Sequence, residues 1–185
     1  LESKSDWSIV NHHKKKIVYL LSSMRHFAAE LIKEGLKVEY LELDNKKNSG
    51  IFEVELSKAM KRNGCNRIVA TKPGDYQTLK RLDVISKKQR IEISILEDDR
   101  FLCGEEEFHI FAKNKKNLRM EFFYRNMRRK HRILMDSGKP LGQKWNFDSD
   151  NRKFPRGGIE AGSVIRHQQD QITRDVIGIV DSTFS

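Results

Sequence analysis

Apolar positions recur at helical spacing between Asn11 and Gly35. Ile17, Leu20, Leu21, Met24, Phe27, Ala28, Leu31 and Ile32 follow the i, i+3, i+4, i+7 rule of an amphipathic helix, and Gly35 supplies its stop. LKVEYLEL at 36–43 then reads as a buried strand carried by Leu36, Val38, Tyr40, Leu41 and Leu43, and Asp44 to Gly50 reads as a polar turn. A helix is expected from about Ile51 to Asn63 and a strand over NRIVAT at 66–71. Pro73 and Asp75 open another helix that runs to about Lys88, and IEISIL at 91–96 is a further short strand. Strands separated by helices in this way predict βαβ units, and so an α/β fold with a parallel sheet and helices on both faces. LESK stands directly before the first helix, where such a sheet ordinarily has a strand, so this sequence is expected to lack its first strand.

The pattern changes after Leu96. Over 118–135, Met120, Phe123, Met127 and Leu134 keep roughly helical spacing, while Arg125, Arg128, Arg129 and Arg132 recur at three and four. One face is expected to pack and another to be cationic. Residues 136–169 have no sustained period and are punctuated by Gly138, Pro140, Gly142, Pro155, Gly157, Gly158 and Gly162, the mark of a long irregular connection. QITRDVIGIVDSTFS then starts a new helix, with Thr173 as the expected N-cap. The chain thus reads as an α/β domain over 1–135, a loop over 136–169, and the start of a second, helical domain over 170–185.

Charge sharpens this division. The whole net charge of +10 sits in residues 113–156, where 14 Lys or Arg face 4 Asp or Glu, and the other 141 residues balance at 22 against 22. A basic excess confined to one stretch suits a polyanion, because clustered cations gain by releasing phosphate counterions. A merely solvated basic face is the other reading. No apolar run approaches the roughly 18 residues of a membrane span, and the opening LESKSDW has no signal-peptide regions, so a cytoplasmic protein without membrane attachment is expected. Cys65 and Cys103 stand far apart outside any C-x-x-C pair, and both are read as reduced and buried or inert.

Three short motifs invite chemistry and mostly decline it. His12 and His13 are adjacent, so on a helix they point about 100° apart, and a basic helix start is the better reading than a metal site. EDDR at 97–100 reads as loop or cap acids, and TKPGDY at 71–76 lacks the Gly-x-Gly approach of a phosphate turn. WNFDSDNRKFP at 145–155 is different: it has no period, yet it carries two large aromatics and an arginine. Trp145 and Phe147 are expected to anchor the loop, with Asn146, Asp148, Asp150 and Asn151 satisfying its turns and Arg152 left as the working residue. Weak or variable structure is expected from Asp148 to about Gln169.

Five segments in order, HHKKKIVYLLSSMRHFAAEL at 12–31, TKPGDY at 71–76, EDDRFL at 97–102, MEFFYRNMRRK at 120–130 and GQKWNFDSDNR at 142–152, together resemble the deoxyribodipyrimidine photolyase-related proteins. This is the bacterial branch of the cryptochrome and photolyase superfamily that includes iron-sulfur (6-4) photolyases. The resemblance implies a Rossmann-like N-terminal domain that binds an antenna chromophore, typically 6,7-dimethyl-8-ribityllumazine, followed by an interdomain loop. It also implies a helical domain holding FAD and a 4Fe-4S cluster, which here would lie beyond Ser185. In that family reduced FAD absorbs light and donates an electron to a pyrimidine lesion in damaged DNA.

Carried over residue by residue, the resemblance assigns antenna contacts to Asp6 and Leu20 and DNA contacts to Arg152 and, more weakly, Lys153. Arg125, Arg128, Arg129 and Arg132 are candidates for phosphates or for ion pairs with the helical domain. Asp6 is shorter than the family's usual Glu, the family has Gly-Gly where Gly142-Gln143 stands, and Glu where Asp150 stands. No cysteine here matches a cluster ligand, so the chain alone is expected to be catalytically silent. A blue-light-sensing cryptochrome without repair activity, or a stand-alone nucleic-acid-binding α/β module, are the alternatives.

Overall fold

A computed structural model gives the arrangement of the chain and describes residues 1–7, 9–152, 157–158 and 162–184. The elements run α1 (Lys4–Trp7), α2 (Lys14–Lys33), α3 (Phe52–Asn63), β1 (Arg67–Thr71), α4 (Tyr76–Gln89), β2 (Glu92–Leu96), α5 (Glu105–Ala112), α6 (Met120–His131), β3 (Met135–Asp136), β4 (Lys139–Pro140), a 3-10 turn (Leu141–Gln143), α7 (Asp148–Asn151) and α8 (Gln171–Thr183). They divide into two compact units: Leu1–Ile68 with Lys87–Glu92 and Val164–Ser185, and Val69–Ser86 with Ile93–Ser163.

The fold is α/β, with β1 and β2 paired as a short parallel sheet. Arg67 meets Glu92 at the start of the two strands, 3.3 Å apart, and Lys72 N donates to Leu96 O at their far end, 2.8 Å away. Equivalent positions therefore advance in the same direction along both strands. The expected strand at 36–43 does not form. Val38, Tyr40, Leu41 and Leu43 are half-buried, with the alternation broken at Tyr40 and Leu41; Leu36 is 54 % exposed, and the segment has no ladder partner among the described residues. Local pattern makes a chain extended; only a second strand makes it a sheet.

What holds 36–43 instead is Glu2, whose side chain is fully buried in the first unit. Its carboxylate accepts two hydrogen bonds from Arg25 of α2, at 2.7 and 2.9 Å, one from the Tyr40 hydroxyl at 2.9 Å and one from Leu43 N at 2.6 Å. The Asn48 side chain donates to the Glu2 carbonyl and Ser3 Oγ to the Gly50 carbonyl, so the first residues clamp the long turn after 43. Burial, then the nearby carboxylate, push the Tyr40 phenol well above its ordinary value. The hydrogen bond to Glu2 is the main reason the Arg25 guanidinium is raised.

Helix α2 begins at His13, whose Nδ1 accepts from Lys15 N at 3.1 Å, and ends in a Schellman motif. Gly35 takes a φ of 86°, Gly35 N donates to Ile32 O and Leu36 N to Leu31 O, the arrangement that favours glycine there. Ile17 and Leu21 of α2 interlock with Val176 and Val180 of α8, all four buried, with Trp7, Met24 and Leu43 around them. Phe184, after α8, packs against the same cluster. Thr173 is not the N-cap: Asp170 is, accepting from Thr173 N at 2.8 Å, as a carboxylate at the positive end of the helix should. Phe27 and Ile32, placed by periodicity on the packed face of α2, are 60 and 55 % exposed.

In the second unit, Phe108 and Phe111 of α5 close on Phe123 of α6, with ring centroids 5.2 and 5.0 Å away. The three glutamates in the first turn of α5 complement its helix dipole, and Glu107 pairs with Lys130 of α6 at 2.6 Å. Burial chiefly raises the Cys103 thiol, with Glu107 contributing; both cysteines are free, and Cys65 is exposed. The loop expected to be irregular contains a tight antiparallel hairpin, Met135 opposite Pro140 and Asp136 opposite Lys139, turned by Ser137 and Gly138, both at positive φ. Among the described residues, no helix is long and apolar enough to cross a membrane.

Glu2→Ala removes the two short hydrogen bonds of Arg25 and leaves it Glu42 and Asp44, at 3.4 and 3.8 Å, so it should lower unfolding free energy by about 2 kcal/mol in a urea titration, whereas Arg62→Ala, which breaks the exposed pair with Glu39, should cost far less. Gln143 occupies a left-handed φ of 61°, so Gln143→Gly should raise the urea midpoint, by about 1 kcal/mol in stability at most. His26 Nε2 bonds Asp170 and its Nδ1 bonds the Ser22 carbonyl, and these bonds, Asp170's first, raise the imidazole above its ordinary 6.5. Asp170 is held at about 2, below its ordinary 3.8, by the Thr173 N–H and then by His26. A raised histidine stabilises below 6.5 and loses this as pH climbs through its folded value; a depressed aspartate stabilises above 3.8 and loses this as pH falls toward 2. Hydrogen-exchange protection of α8, corrected for intrinsic rates, should therefore peak between those values, and His26→Gln should remove the alkaline decline.

Candidate nucleic-acid interface

Helix α6 gathers Arg128, Arg129, Lys130 and His131 in its last turn, where cations complement the negative end of the helix dipole. The four arginines read as one stripe have four different fates. Arg125 is bound to Glu121 one turn earlier, an i, i+4 pair legible in the sequence, and its side chain is 28 % exposed. Arg128 is buried: Nε donates to Ile133 O at 3.1 Å and Nη2 to Leu134 O. It caps the chain just past the helix end. Arg132 also leaves the stripe, because it takes a left-handed φ of 55° as the C-cap of α6; it is exposed. Arg129 remains on the helix, exposed, with only a 3.4 Å contact to Asn126 Oδ1 and no ion pair among the described residues.

Trp145 brings three of these together. Its half-buried ring lies 5.3 Å from the Arg125 guanidinium carbon, 5.4 Å from that of Arg128 and 4.6 Å from that of Arg129. A ring quadrupole attracts each cation and offsets part of their mutual repulsion. The neighbouring Asn146 amide donates to Glu121 Oε1 at 3.2 Å, so loop and helix share the acid that neutralises Arg125. Phe147 lies over Gly142: a Cβ there would come within 3.2 Å of the ring, and the backbone already sits at φ 76°. Trp145 thus behaves as the anchor expected of it, while Phe147 is 45 % exposed. The convergence of arginines on the indole had no sequence signal, since Trp145 stands 16 to 20 residues from them.

Arg152 caps the short α7 and is exposed, without an ion pair among the described residues. Lys153 lies outside the described residues. Two other cations in this unit are already engaged, Lys130 by Glu107 and Lys115 by the Phe111 carbonyl and ring. The cations left for an outside polyanion are therefore a subset of the basic stretch, with Arg129, Arg132 and Arg152 foremost.

The two antenna candidates lie in the first unit. Asp6 belongs to α1 and Leu20 to α2, and both are half-buried. An open pocket of about 890 Å³ runs along α2 and α8, walled by Tyr19, Phe27, His26 and Ile177, and neither Asp6 nor Leu20 lines it. Among the described residues no group of three or more His, Cys, Asp or Glu is placed to hold a metal ion. His12 stacks edge-on against Trp7 at 5.7 Å, Asp98 is taken by Arg100 at 2.6 Å, and Asp75 caps α4 through Thr78 N at 2.7 Å.

Comparison with known proteins gives this geometry a lineage. The chain is 39 % identical over 183 residues to a (6-4) photolyase of Agrobacterium fabrum, an alignment covering 99 % of this chain and 36 % of that protein. It is 28 % identical over 142 residues to an uncharacterized protein of Acanthamoeba polyphaga mimivirus, covering 75 % of this chain and 70 % of that one. The chain thus spans about a third of the length of the photolyase it matches. The deoxyribodipyrimidine photo-lyase-related protein family matches residues 1–185. Over its whole length, the chain belongs to that family.

Proposed function

We propose that the chain is the N-terminal antenna and DNA-docking part of a flavin-dependent photolyase that repairs pyrimidine lesions in damaged DNA. The observation that carries this reading is the match to a (6-4) photolyase across 99 % of the chain. The physical support is the basic excess confined to residues 113–156, together with the exposed Arg129, Arg132 and Arg152, which make no ion pair among the described residues. In this reading FAD and the iron-sulfur cluster belong to residues outside the chain, which contributes no catalytic residue. Its own work is to meet the phosphates and to hold an antenna of the 6,7-dimethyl-8-ribityllumazine class beside Asp6 and Leu20. The carboxylate would accept hydrogen bonds from the ribityl hydroxyls and the aliphatic side chain would pack on the ring.

The test uses the protein produced from its whole reading frame. It should carry flavin absorbance and repair (6-4) or cyclobutane lesions only under light; absence of both flavin and repair overturns the proposal, and flavin without repair identifies a light-sensing cryptochrome. Arg152→Ala should lower repair severalfold while leaving FAD content intact, whereas equal loss of both marks a structural arginine. Asp6→Asn and Leu20→Ala should reduce antenna absorbance relative to flavin, and an unchanged ratio removes both residues from the antenna site.

A further inference from the structure

The second unit contains an open pocket of about 510 Å³ whose residues the docking of a DNA backbone leaves unused. Its aromatic walls are Tyr124, Trp145 and Phe147, and Leu134 and Leu141 complete its apolar lining. Tyr124, Phe147, Leu134 and Leu141 are 48, 45, 58 and 56 % exposed, an apolar concavity open to solvent within the most basic stretch of the chain. Each aromatic also carries a cation: Arg128 lies 5.4 Å from the Tyr124 ring, Arg129 4.6 Å from Trp145 and Lys144 5.9 Å from Phe147.

The chemistry of this lining fits a flat, π-faced group attached to an anion. Rings and guanidinium planes stack on nucleobases whatever their sequence, and pockets of a few hundred Å³ with a few polar groups are of ligand size. Asp148 and Asn146 also line the pocket, and they decide its polarity. A carboxylate repels a phosphate but accepts from the exocyclic amine or ring N–H of a base, and the carboxamide can meet a base edge in either sense. A phosphate would therefore stay outside, where Arg129 has no ion pair among the described residues and Lys144 is exposed. A base inside a duplex has both faces stacked and cannot reach such walls.

We infer that this pocket takes an unpaired nucleobase of a single-stranded stretch, with the adjoining phosphates on Arg129 and Lys144. The inference rests on the proposed DNA-docking role and adds to it a subsite that reads strand opening instead of charge alone. The left-handed turn at Arg132 and Leu134, held by Arg128, keeps the aliphatic side of the pocket in place.

The test compares an oligothymidylate of about ten nucleotides with an abasic strand of equal length and with inorganic phosphate, in a Trp7→Phe background where Trp145 is the one remaining indole. The oligothymidylate should bind roughly tenfold more tightly than the abasic strand, a stacking-sized difference, and should change Trp145 fluorescence, while phosphate should not. Phe147→Leu should erase most of the difference without weakening the abasic strand, and Phe147→Tyr should restore it. Equal affinity for the two strands overturns the base subsite and leaves backbone docking standing. No binding of either strand at low salt overturns both the subsite and the docking role.

Discussion

Much of the basic surface depends on where one charge is buried. Arg128 ends α6 by turning its guanidinium back onto the carbonyls of Ile133 and Leu134, and it is 7 % exposed in doing so. A cation at the negative end of a helix is favourable, and here it also satisfies acceptors that the helix itself leaves open. Its two hydrogen bonds hold a stretch in which Arg132 and Leu134 both adopt left-handed backbone, a conformation that costs non-glycine residues about 1 kcal/mol or more each. From that turn the chain enters the β3–β4 hairpin and reaches Trp145, whose ring then gathers Arg125, Arg128 and Arg129. A residue that looks like a phosphate ligand is thus part of the scaffold that presents the others.

The first unit uses the same device with opposite sign. Glu2 is buried and its carboxylate is filled by Arg25, Tyr40 and Leu43 N, so an acid near the chain start organises a segment that has no strand partner. Breaking a buried pair is costly because the orphaned charge remains in a poor solvent. In both units, a desolvated charge held by several hydrogen bonds fixes irregular chain, while helix periodicity supplies the packed core. The core itself is modest: Ile17 and Leu21 against Val176 and Val180.

The regular elements were legible because their signals are local. The 3.6-residue rhythm of α2, the glycine after it, and the short β-branched runs of β1 and β2 each lie within one window of sequence. The segment 36–43 had the apolar run of a strand, but pairing is a property of two segments and one of them does not show it. Thr173 and Asp170 both offered an N-cap; the carboxylate won, as its stronger acceptor and the helix dipole favour, and it gained His26 besides. Spacing of i, i+3 and i+4 gives a common face only while the helix lasts, so Arg132, past its end at His131, leaves the stripe, whereas Arg128, still on the helix, folds back onto the carbonyls just beyond it. The fold class and family were readable from motifs in order along the chain, whereas the division of the arginines into structural and available ones required knowing where the backbone turns.

If the chain docks on DNA as proposed, the salt dependence of that binding separates the structural arginines from the available ones. For the wild-type chain and single Gln replacements of Arg125, Arg128, Arg129, Arg132 and Arg152, the slope of log affinity against log salt counts the phosphates each side chain meets. The slope should shrink by about 1 for Arg129, Arg132 and Arg152 and stay unchanged for Arg125, whereas Arg128→Gln, which releases the turn at 132–134, should lower the urea midpoint. An equal loss of slope at all five positions, with the urea midpoint of Arg128→Gln unchanged, would contradict that separation, because it would make the buried Arg128 and the paired Arg125 ordinary members of a continuous phosphate-binding stripe.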